Sequence, residues 1–133
     1  MDPSTLNPWA ILVAAAAGFV LGGVWYSPML FAKRWMLAAG LDEETLRSSN
    51  MGKVFGGAFL LTLLAAVNLA AFLGPERNPG WGVAAGLLAA VWVCAALGVL
   101  YLFERRPLVQ FVINAGYWLV TFAAMGAILG TWK

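Results

Sequence analysis

Four stretches of this chain are apolar for long enough to cross a bilayer, and this limits the fold more than any motif does. About 20 mainly apolar residues carry a helix through the hydrocarbon layer. The stretches run from about Trp9 to Phe31, Met51 to Leu73, Trp81 to Phe103 and Leu108 to Thr131. The 133 residues are 62% hydrophobic and only 11% charged, whereas soluble domains are nearer half apolar and a quarter charged. A soluble core of this size needs a largely polar surface, so lipid must be the solvent for most of the chain. The expected fold is an all-α membrane protein, a four-transmembrane-helix bundle in one domain spanning 1–133.

Local signals punctuate the spans. Asn7 can cap the first, and Pro8 suits its first turn. That span closes on Trp25-Tyr26-Ser27-Pro28, where the aromatics suit a headgroup belt and the proline ends or bends the helix. The one long connector, Ala32 to Asn50, follows. Met29 to Ala39 reads as a short interfacial helix with Lys33 and Arg34 turned outward. Asp42-Glu43-Glu44 suit the first turn of a short polar helix. Ser49 or Asn50 can cap the second span, and Gly74-Pro75 stops it. The short connector 75–80 makes spans two and three antiparallel neighbours. Glu104-Arg105-Arg106 forms a charged turn before Pro107, which opens the fourth span.

Composition removes several functions. The net charge is +2, and the basic residues sit in short connectors, so no nucleic acid is implied. There is no histidine, the commonest metal ligand and proton shuttle. No metal site and no cofactor are expected. The single Cys94 lies in an apolar run as a packing residue. Met1 to Thr5 lack a basic region and no cleavage site closes the run behind them, so a retained first span is expected. Lys33, Arg34, Arg47, Lys53, Arg105 and Arg106 flank the first and third connectors, against Arg77 and Lys133 on the other side. The positive-inside rule then puts both connectors in the cytoplasm and both termini on the outer side.

The fourth span carries the sharpest pattern. At about 100° per residue, Gln110, Asn114, Tyr117 and Thr121 share a stripe roughly 60° wide. Ala115, Gly116, Ala123, Gly126 and Gly130 occupy the opposite side. Such a helix should have protein on both sides. Asn68 is the expected mid-depth partner of the stripe. Interhelical hydrogen bonds there contribute roughly 0.6 kcal/mol each, rarely above about 1.7. The other reading is a polar lining for a solute path. Ion-coupled devices usually keep Asp, Glu or His in the membrane, and no span interior here has one.

Glycines recur four apart at Gly18/Gly22, Gly52/Gly56, Gly82/Gly86 and Gly126/Gly130. Small residues let transmembrane backbones approach. Gly18, Gly22 and Trp25 share one face with Ala14, and the small back of the fourth helix, with Gly126 and Gly130, suggests a neighbouring subunit and hence a homo-oligomer. Glu104 should lie level with Lys33 and Arg34 and can pair with either. Asn7-Pro8-Trp9 is echoed by Asn78-Pro79-Gly80-Trp81. That echo fits a duplicated hairpin, or simply caps and interface aromatics that recur in any multi-pass protein.

The segment Gly22-Gly23-Val24-Trp25-Tyr26-Ser27-Pro28, followed by Leu30-Phe31 and Trp35, resembles a bacterial integral-membrane family known as domain of unknown function 1761. Asn114-Ala115-Gly116-Tyr117 through Met125-Gly126-Ala127-Ile128-Leu129-Gly130 looks like its second signature. The resemblance covers almost the whole chain. It implies a four-helix membrane protein and brings no activity, ligand or catalytic residue. The expected function is a non-enzymatic, homo-oligomeric packing or regulatory module in the lipid bilayer. Passage or binding of a small neutral solute along the fourth-helix stripe is the alternative.

Overall fold

The computed structural model describes residues 6–48, 50–75 and 78–132, which form six helices and no strand. Ser49, Arg77, Lys133 and the first five residues, on which some sequence expectations rest, lie outside the described residues. Four helices are long and apolar enough to cross a membrane: α1 (Pro8–Trp25), α4 (Met51–Leu73), α5 (Pro79–Glu104) and α6 (Leu108–Thr131). Between the first two lie the short α2 (Ala32–Ala39) and α3 (Glu43–Ser48).

Asparagines start three of the long helices. Asn7 Oδ1 accepts from the N–H groups of Trp9 and Ala10 at 3.0 and 3.2 Å. Asn50 accepts from Lys53 at 3.1 Å and Asn78 from Trp81 at 3.0 Å. Each satisfies donors that a helix amino end leaves without a partner. Pro8 and Pro79 follow their caps, where the missing N–H costs nothing.

Helix α1 stops at Trp25, well short of the expected Phe31. Pro28 has no N–H to give the Val24 carbonyl. The Ser27 hydroxyl takes that carbonyl instead, at 2.7 Å. Phe31 N–H then bonds Trp25 O and Ala32 N–H bonds Ser27 O, at 3.2 and 3.1 Å. Residues 26–31 are therefore a hydrogen-bonded turn, and the interfacial helix begins at Ala32 rather than Met29.

Along α2, Lys33, Arg34 and Leu37 are exposed, while Trp35 and Met36 are half-buried. Gly40 ends it at φ 73°. Leu41 N–H reaches back to Met36 O at 2.8 Å, a left-handed cap that glycine adopts freely. Asp42 then caps α3, accepting from Thr45 N–H at 2.6 Å. Helix α5 ends with the same geometry on a non-glycine residue. Arg105 has φ 57°, and Arg106 N–H bonds Tyr101 O at 2.9 Å.

Helix α6 buries more of itself than any other span and packs against α1, α2, α4 and α5. Its closest neighbour is α5. A Cβ placed on Gly82 would overlap the Gly126 carbonyl, and one on Gly86 would overlap the Phe122 carbonyl. A Cβ on Gly130 would come 2.6 Å from Asn78 O. Backbone therefore meets backbone, as small-residue pairs allow. This corrects the expectation that the small back of α6 awaits another subunit, because α5 of the same chain covers it. Helix α1 lies between α4 and α6. Its Ala10, Ala14 and Ala15 are buried with Ala66, Leu69 and Ala70 of α4 and Phe122, Met125 and Leu129 of α6. Large apolar side chains such as Leu60, Leu88 and Trp92 point outward. Small residues inside and large ones outside suit a bilayer environment, where packing replaces the hydrophobic drive between helices.

Candidate functional site

The polar stripe of α6 faces α1, and its centre is Asn114. Asn114 Oδ1 accepts from the Tyr26 hydroxyl at 2.6 Å. Its Nδ2 donates to the Tyr101 hydroxyl at 2.8 Å. One side-chain amide thus joins the end of α1, the last turns of α5 and the first half of α6. One turn further along, the Tyr117 hydroxyl donates to the carbonyl of Gly18 at 2.7 Å, in a fully buried contact. The Trp25 indole N–H donates to Ile113 O at 2.9 Å.

Glycines make room for these rings. A Cβ on Gly22 would stand 3.2 Å from the Tyr117 hydroxyl, and one on Gly116 would stand 3.0 Å from the Trp25 ring. A Cβ on Gly18 would meet the methyl of Thr121 at 3.0 Å and that of Thr62 at 3.2 Å. Gly18 is therefore the point where α1, α4 and α6 converge. The Tyr26 ring lies 5.6 Å from that of Tyr117 and 5.0 Å from that of Trp35, centre to centre. Such tilted pairs add about 0.5–1.5 kcal/mol beyond area burial, and the second one fastens α2 to the cluster.

Gln110, Tyr117 and Thr121 are all buried and Asn114 half-buried, so the four expected stripe residues line one seam. Gln110 is only 8% exposed, and its Oε1 has no hydrogen-bond partner among the described residues. Asn68 does not join them. It is exposed, and its Nδ2 donates to Leu64 O on its own helix at 2.9 Å. The i−4 carbonyl satisfies it more cheaply than a crossing partner. The expected ion pair also differs. Glu104 lies 3.6 Å from Arg106, two residues along the same turn, with both side chains about 40% exposed. Lys33 and Arg34 are exposed on α2. Trp25, Gly18 and Gly22 pack on α6, while Gly126 and Gly130 pack on α5.

Sequence reasoning treated Tyr26 as an interface aromatic and gave Tyr101 no role. The only signal for Tyr26 was its place inside a family signature. The two signature segments meet in space through Trp25–Gly116, Tyr26–Asn114 and Gly22–Tyr117, across about 90 residues of sequence. The groups gathered there are neutral amides, phenols and an indole. They can hold helices in register or bind a neutral hydrogen-bonding group.

No curated protein and no solved structure matches the chain. A family model described as protein of unknown function (DUF1761) matches residues 9–130. With nearly its whole length covered and both signature segments in contact, the chain belongs to that family.

Proposed function

We propose that this chain is a non-enzymatic packing or regulatory module of the bacterial cytoplasmic membrane, with both termini on the outer side. The observation that supports it best is the closure of the middle of the polar stripe upon the chain's own groups. Asn114 is held by Tyr26 and Tyr101, and Tyr117 by Gly18 O. A conduit wall keeps such groups free for solute, whereas a seam spends them on its own helices. In this reading the protein self-associates through α4. Among the described residues, Gly52 and Gly56 are the glycine pair that no other helix approaches, and a Cβ on Gly56 would meet nothing within 4 Å. Reconstitution into liposomes tests the module reading. No flux is expected for a panel of small neutral solutes. Flux that Asn114→Leu abolishes while the fold survives would replace this reading with a transport one.

A second reading, binding or passage of a small neutral solute, draws on Gln110. Its buried Oε1 is an acceptor in want of a donor, and leaving such a group unsatisfied costs about 1–3 kcal/mol. A solute N–H or O–H entering at that end of α6 would supply it. Gln110→Leu separates the two readings. A module gains or holds stability, whereas a solute site loses binding.

A further inference from the structure

Outside the polar seam, an open groove of about 590 Å³ lies between α5 and α6. Val91, Ala95, Gly98 and Leu102 form one wall, with Phe111 and Leu119 on the other. Gly98 lets the Phe111 ring pack against the α5 backbone, since a Cβ there would stand 3.2 Å from that ring. The one polar group nearby, the Cys94 thiol, points inward to Ala115 O at 3.6 Å. The lining offers no hydrogen bond to an occupant, so the occupant is hydrocarbon where it touches the groove.

Length and charge say which hydrocarbon. From Val91 to Leu102 the α5 wall extends about 16 Å at 1.5 Å per residue. One leaflet of the hydrocarbon core is about 15 Å deep, half of about 30 Å. At the Leu102–Phe111 end the groove runs into the turn that joins α5 to α6, and that turn carries Arg105 and Arg106, both exposed. Glu104 offsets part of the Arg106 charge through an exposed contact, which is weak in water. Arg105 stands beside it with a second charge. A chain lying in the groove therefore brings its headgroup to two guanidinium groups, the side chains best shaped to hold a phosphate.

We propose that this groove is a binding site for an anionic phospholipid, with one acyl chain along α5 and α6 and the phosphate over Arg105 and Arg106. The site uses none of the bonded side chains of the Asn114 seam and none of the exposed glycines of α4, so it adds a lipid partner to the module rather than restating it.

Native mass spectrometry of the detergent-solubilised full chain, given equal phosphatidylglycerol and phosphatidylcholine, tests this. The expected result is one retained phosphatidylglycerol, favoured over phosphatidylcholine. Arg105→Gln/Arg106→Gln should cut that preference by up to about thirtyfold, since each basic residue near anionic lipid contributes about fivefold. Ala95→Leu, which fills the groove from an exposed position, should reduce retention of both lipids. If Ala95→Leu does not fold, Val99→Trp, at a lining residue one turn further along α5, fills the groove instead. Equal retention of the two lipids, or a preference that survives loss of both arginines, overturns the proposal. So does a dimer that Ala95→Leu abolishes, because a second copy would then be the occupant.

Discussion

Gly82 of α5 and Gly126 of α6 meet backbone to backbone, and a methyl group on either would overlap the carbonyl oxygen of the other. Neither helix can yield locally, because the next contacts along, Gly86 with Phe122 and Gly130 with Asn78, also leave no room for a Cβ. Gly126→Ala should therefore force the pair apart. Overpacking of this kind typically costs 1–3 kcal/mol, and about 3 kcal/mol is expected where backbone opposes the added carbon. Gly23→Ala is the control, since a Cβ there meets nothing within 4 Å. Unfolding in detergent, followed by circular dichroism, should separate the two variants clearly.

The hydrogen bond between Tyr26 and Asn114 should couple the stabilities of these two residues. A double-mutant cycle with Tyr26→Phe and Asn114→Ala reads the pair alone. Coupling of about 0.6 kcal/mol is expected, with about 1.7 as the upper range for such contacts in membranes. Additive single effects would mean that the two side chains do not bond in the bilayer. Tyr101→Phe should give a smaller loss than Asn114→Ala, because the asparagine serves both tyrosines.

The cap of α3 should be sensitive to acid. The Thr45 hydroxyl and then its backbone N–H hold the Asp42 carboxyl below its ordinary value of 3.8. A carboxylate with a lowered folded pKa contributes stability that is fully present above the ordinary value. That contribution is lost as the pH falls through the folded one. The protection factor of the Thr45 amide, taken against the intrinsic exchange rate at each pH, should be full at neutral pH and fall below about pH 4. Asp42→Asn keeps a capping oxygen and should remove the pH dependence while leaving the neutral-pH protection largely in place.

Self-association through α4 predicts a clean loss of function in one assay. Gly56→Leu adds bulk where the chain itself places nothing, so the monomer should fold with unchanged thermal stability. Cross-linking in native membranes should yield dimers from the parent chain and monomers from the variant. Monomers from both would remove the oligomer from the proposed function.

The spans were legible because each rests on signals confined to a few residues. Asn7, Asn78 and Asn50 sit one position before their helices, and Pro28 forbids the bond that would continue α1. The stripe from Gln110 to Thr121 was legible for the same reason, since helical periodicity alone aligns it. Partner choice was not. Asn68 presents the same chemistry as Asn114, yet one closes on its own helix and the other bridges two tyrosines. Periodicity places a side chain on a face and says nothing of what lies opposite. Glu104 took the cation two residues away over those expected at the same depth, because a tight turn brings Arg106 to it at no cost in chain ordering. The small back of α6 was read correctly as a close-approach surface, but the glycines of α5 and those of another copy look alike from a single strand of text.

The early stop of α1 has a mechanical consequence for the membrane. Its 18 residues extend about 27 Å, whereas the 26 residues of α5 extend about 39 Å. A hydrocarbon layer of about 30 Å fits neither. The long helix accommodates by tilting or lifting its ends into the headgroups, and the short one by drawing the leaflets together around it. A bilayer around these helices would thus meet one about 3 Å shorter than its core and one about 9 Å longer, so the mismatch is largest at α5.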